Sequence, residues 1–167
     1  VEVSDSESLD ITDEITVMAW VKPNVCKDYG GIVSTGYWGY SNDRGWELTH
    51  RDDCKLWFTL SHDGSDESTF STDWNGASLT APVGKWTHVV ALFDGSYVKI
   101  YIDGVEDSGA TEYSPGAIYT PDRSLVIGTL RRLISIDYFN GTIDEVHIYN
   151  RALSEEEISD LYNNYGY

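Results

Sequence analysis

Positive charge is scarce in this chain. Eleven Lys and Arg stand against 28 Asp and Glu, a formal net charge of −17. So acidic a surface repels polyanions, which argues against nucleic acid and anionic membranes as partners. Long apolar runs are also missing. No stretch of about 18 apolar residues exists, so no transmembrane helix is expected, and Val1 opens no signal-peptide pattern. The four histidines, His50, His62, His88 and His147, are scattered, with no His-Glu-x-x-His and no zinc spacing. There is no Gly-x-Ser-x-Gly elbow, no phosphate-cradling glycine loop, and no histidine placed to activate a cysteine. Cys26 and Cys54 are the whole thiol inventory. Each lies among charged or turn residues, so each sits in a loop. A loop-to-loop disulfide is the expectation, with two unpaired thiols as the alternative. A bridge would stabilise by about 3 kcal/mol and favour an extracellular setting.

What is present is β-structure. Apolar content of 41% and aromatic content of 13% are enough for a packed core. Short alternating runs are separated by Gly, Asp, Asn and Pro, and predict strands over 1–3, 15–22, 31–35, 46–50, 56–61, 86–93, 97–103, 125–128 and 142–149. Asp94-Gly95 and Asp103-Gly104 are hairpin turn signals. Residues 63–83 and 108–124 read as long loops. A helix is expected only over 155–163. Ser154 is its N-cap and Glu157 its capping-box acid, while Leu153 and Ile158 form a hydrophobic staple. Many short strands with one helix predict an all-β, antiparallel two-sheet sandwich.

Four stretches in order resemble one family. They are Ser8–Ile11 with Ile15–Pro23, Gly84–Ala91, Gly95–Gly104, and Gly141–Ile158. Together they are similar to LamG-like, concanavalin A-like lectin/glucanase jelly-roll domains. The resemblance implies a single jelly-roll domain over 1–167, with the family's first short strand missing ahead of Val1. It also implies a structural calcium near where the N-terminal segment meets the last strand. Asp144 matches that place, and Asp5 with its neighbours would supply further oxygens. The alternative for Asp144 is a surface carboxylate bonded to backbone amides. The same sandwich hosts glycoside hydrolases, but their Glu-x-Asp-x-x-Glu strand does not occur here.

Function is expected among the aromatics. Trp20, Trp86, Phe93, Tyr101 and Tyr149 fit core positions. Trp57 faces away from Leu56, Phe58 and Leu60, so it is either covered by a loop or open for stacking on a sugar ring. Tyr37, Trp38 and Tyr40, followed by Asn42 and Arg44, combine rings with planar polar groups, a pattern suited to paired hydroxyls. Loop anchoring is the alternative there, and also for Trp74 and Tyr113. Glu47, Thr49 and Arg51 share a strand face, with Trp46 beside them, as a polar binding strip. The expected function is a non-catalytic, extracellular carbohydrate-binding module whose partner is a glycan or polysaccharide. The alternative is a structural or adhesive module, completed by a strand from a neighbouring chain. A cryptic hydrolase is third.

Overall fold

The computed structural model describes residues 1–36, 43–65, 69–71, 79–107, 111–112, 116–132 and 136–165. The larger sheet has the order β1 (Glu2–Val3), β11 (Leu125–Ile127), β3 (Gly30–Gly36), β4 (Arg44–His50), β5 (Leu56–Ser61), β6 (Thr69–Ser71). A hairpin of β12 (Thr129–Arg131) and β13 (Ile136–Tyr138) joins it at β3. The second sheet runs β10 (Thr111–Glu112), β8 (Tyr97–Ile102), β7 (Thr87–Phe93), β2 (Ile15–Pro23), β14 (Gly141–Tyr149), with β9 (Val105–Glu106) on β8. Helix α1 spans Glu155–Tyr165. This is the two-sheet sandwich that the strand pattern predicts, in the jelly-roll form that the family resemblance implies.

Side-chain alternation builds two cores. Ile15, Val17, Ala19 and Val21 of β2 face Trp46, Leu48, Phe58 and Leu60 across the sandwich. Met18, Val90, Leu92 and Tyr101 point the other way and pack against Leu153 and Ile158. β2 and β7 are therefore buried on both faces, which is why they read as almost continuous apolar runs. Ile158 is fully buried, and such a side chain contributes about 2 kcal/mol by transfer.

The helix start is locally encoded. The Ser154 amide donates to Glu157 Oε2 at 2.9 Å, and the Glu157 amide donates to Ser154 Oγ at 3.2 Å. Arg151 grips the same carboxylate twice, at 2.9 and 2.7 Å. Arg151 first, then the Ser154 amide, holds the Glu157 carboxyl down at about 2. The opposite end of the helix packs on the β8–β9 turn. There Gly104 has φ +78°, and a Cβ would lie 3.2 Å from the Tyr162 ring. Glycine thus serves both the turn and the close approach.

The nine anticipated strands all form. β6, β9, β10, β12 and β13 are additional, each two or three residues long. Runs so short display no period, and pairing with a neighbour defines them.

Candidate functional site

The outer face of the larger sheet carries a polar strip. Ser34 of β3, Glu47 of β4 and Thr59 of β5 stand in one cross-strand row. Gly31, Thr49 and Trp57 form the next. Gly31 must lack a side chain, because a Cβ would strike the Thr129 backbone that crosses over it. Glu47 is 4% exposed and Thr49 is fully buried. Burial pushes the Glu47 carboxyl up to about 7, although Arg132, Arg44 and Arg51 act the other way and Thr59 hydrogen-bonds it.

Arg51 ends the strip. Its backbone closes the β4–β5 turn through Arg51 N to Lys55 O (2.9 Å) and Cys54 N to Arg51 O (3.1 Å). The guanidinium is packed on two rings, with its carbon 3.3 Å from the Trp57 centroid and 4.0 Å from that of Tyr29. Such contacts are favourable and hold the fork rigid. Asp28 pairs with Nη2 at 2.5 Å. Arg132 also lies on Tyr29, at 3.5 Å, and pairs with Asp137 at 3.4 Å.

Among the described residues, several buried atoms here have no hydrogen-bond partner: Glu47 Oε2, Thr49 Oγ1, Arg51 Nε and Nη1, and Thr129 Oγ1. Leaving such groups unpaired costs about 1–3 kcal/mol each, more when charged. These atoms are sealed from solvent, and the side chains that reach it are the half-buried Trp57, Tyr29 and Arg132.

The disulfide joins Cys26 to Cys54, with Cα atoms 5.0 Å apart. It ties the segment carrying Asp28 and Tyr29 to the turn that carries Arg51. Beside it the His50 ring Nε2 lies 3.1 Å from Ala81 O, and burial lowers its pKa. Among the described residues, Cys26, His50 and Cys54 are the only group of three potential metal ligands in close reach of one another. Both thiols are consumed by the bridge.

The anticipated site residues are distributed as follows. Tyr37, Trp38, Tyr40 and Asn42 lie outside the described residues, as do Trp74 and Tyr113. Arg44 opens β4 and is 8% exposed, and burial lowers its pKa. Trp57 is half-buried, with Arg51 across its ring. Trp46 does not flank the strip. Its neighbour Glu47 points outward, so alternation turns Trp46 into the core, 2% exposed and 6.4 Å from Phe58. Trp20 and Tyr101 are buried as expected, but on the outer face under α1, where the Trp20 ring stacks 5.8 Å from Tyr162. Tyr29, Asp28 and Arg132 are members of the strip that no local pattern marks.

Asp5 is near Asp122, and desolvation, then that neighbour, raises its carboxyl. Asp144 is exposed beside a bulge of β14 and accepts from the Glu145 amide at 2.9 Å. Among the described residues, neither belongs to a group of three His, Cys, Asp or Glu ligands.

The sequence pattern of the Laminin G 3 family, described as the concanavalin A-like lectin/glucanases superfamily, matches residues 1–159. No curated protein matches the chain. Solved structures share the fold. Domain 4 of AbnA, an extracellular arabinanase from Geobacillus stearothermophilus, solved with arabinotriose, superposes with a TM-score of 0.70 at 23% identity over 96% of this chain and 71% of that one. The binding domain of Paraclostridial Mosquitocidal Protein 1 gives 0.66 at 16% identity, over 98% of this chain and 40% of that one. Trypanosoma rangeli sialidase, in complex with 2,3-difluorosialic acid, gives 0.63 at 21% identity, over 90% of this chain. The present chain corresponds to 22% of that enzyme. At these identities the likeness is one of fold.

Proposed function

The chain belongs to the concanavalin A-like lectin/glucanases superfamily over residues 1–159, and from that premise we propose that it is a non-catalytic, extracellular carbohydrate-binding module. The observation that carries the reading is the outer strip of β4 and β5. Half-buried Trp57 and Tyr29 line it, and Arg132 reaches solvent beside them. Sugars present the matching pairing of hydroxyls and apolar ring faces. Tyr37, Trp38, Tyr40 and Asn42 precede Arg44 in sequence and carry the ring and amide chemistry that suits a sugar. The arabinotriose held by AbnA domain 4 supports the class of ligand. The disulfide supports an extracellular setting.

The non-catalytic part rests on the carboxylates. Hydrolysis of a glycosidic bond uses a pair across the scissile bond, and Glu47 is the one carboxylate on β3, β4 and β5. The test is a glycan array, run with and without EDTA, on the native chain and on Trp57→Ala. Retention by native protein and its loss in a variant that still unfolds cooperatively support the module. Absence of retention on every glycan refutes it. The EDTA arm tests calcium at Asp5 and Asp144.

A further inference from the structure

The strip also carries the chemistry to select its ligand, an inference that rests on the glycan-binding reading. The net charge of −17 repels polyanions at long range, but salt screens that field within about 10 Å, and three guanidinium groups act locally on one buried point, Glu47. Arg51 is 8% exposed and held flat between Trp57 and Tyr29. Asp28 answers Nη2 alone, while Nε and Nη1 have no acceptor. Arg132 shares the Tyr29 ring, and its side chain retains 27% exposure. Trp57, Tyr29 and Asp28 are likewise half-buried, so this end of the strip reaches solvent.

A carboxylate in place of Glu47's proton would repel an anionic ligand. Burial keeps that proton on up to about 7, so near neutrality Glu47 presents partly neutral oxygens. Arg44 on β4, Arg51 just after it, Thr59 on β5 and Arg132 after β12 face it; Asp28 and Asp137 are ion-paired with Arg51 and Arg132. Hydrogen bonds from a cation to a carboxylate are about twice as strong as neutral ones. Arg132 at the open end, with the Arg51 charge behind it, therefore favours a ligand carboxylate over a hydroxyl. We infer that the open end of the strip binds a glycan built from acidic sugars, with a ligand carboxylate on Arg132, the Arg51 charge behind it, and the sugar against the half-buried Trp57 and Tyr29.

Titration calorimetry on the native chain tests this, using trimers of galacturonate, glucuronate and mannuronate and the same trimers after carboxyl reduction to neutral sugars. The acidic form of at least one trimer should bind, and reduction should weaken it at least tenfold. Binding should tighten from pH 8 to pH 6, and Glu47→Gln should flatten that trend. Arg132→Gln, at an open position that the fold tolerates, should cost at least about tenfold, as loss of a charged hydrogen bond does. Arg51→Gln removes only the charge behind it and should weaken binding several-fold. Equal binding of acidic and reduced trimers, or binding of reduced trimers alone, overturns the acidic-sugar inference and leaves the glycan module standing. Failure of every trimer overturns the inference; failure of the whole glycan array as well overturns the module.

Discussion

Replacing Glu47 with Gln removes one buried proton site while keeping the side chain's size. In the folded chain burial lifts this carboxyl from 4.5 to about 7. The folded state therefore holds the proton more tightly than the unfolded chain does. Stability from this group is full below 4.5 and is lost as pH rises through 7. At about 1.4 kcal/mol per pKa unit, the loss between pH 5 and pH 8 is roughly 2–3 kcal/mol. Gln does not titrate, so the variant should gain that amount relative to the native chain over the same interval. For a domain of this size it corresponds to roughly 5–10 °C in Tm. Urea unfolding of both chains at pH 5 and pH 8 measures it. The difference between the two differences cancels every other titrating group, including His50 and His88, whose effects run the opposite way. A double difference under about 1 kcal/mol, or one of reversed sign, would refute the claim that Glu47 is buried at the cost of its charge.

Two further outcomes follow from the same reasoning. His88 is fully buried beside Trp20 and Tyr162, and burial lowers its pKa to about 4. The fold prefers the neutral ring, so stability is present above 6.5 and lost as pH falls through 4. His88→Phe should flatten this acid limb by about 3 kcal/mol, and calorimetry at pH 7 and pH 4 giving an unchanged slope would contradict it. Replacing both Cys26 and Cys54 with Ser opens a loop whose ends are 28 residues apart. That should cost about 3–4 kcal/mol in urea unfolding; a cost below 1 kcal/mol would mean that other contacts already fix the loop.

Much of the fold was legible because its signals are local. Ser154 and Glu157 find each other within one helical turn, so their spacing alone predicts the cap. Asp94 accepts from the Ser96 and Tyr97 amides at 3.0 and 2.7 Å, and only residues within three positions take part. Alternation placed Leu56, Phe58 and Leu60 on one side of β5 and Trp57 on the other. It also put Glu47, Thr49 and Arg51 on a common face. Applied one residue further, the same rule sends Trp46 inward, where the composition of its neighbourhood had suggested a binding role.

The site was only half legible. Arg132 lies 75 or more positions from Trp57 and Tyr29, and no spacing rule links it to them. The crossover of β12 over Gly31 brings it there. Asp28 and Tyr29 arrive because β3 runs antiparallel to β4 and the disulfide fixes their segment to the Arg51 turn. The sequence alone determined nine of the strands, the hairpin turns, the capped helix and the alternation of sides along each strand, because period, turn chemistry and capping act over a few positions. Tertiary structure decided which face became core, which carboxyl lost its charge, and which cations converge on it, because burial and Coulomb interaction depend on distances that only the folded sheet sets.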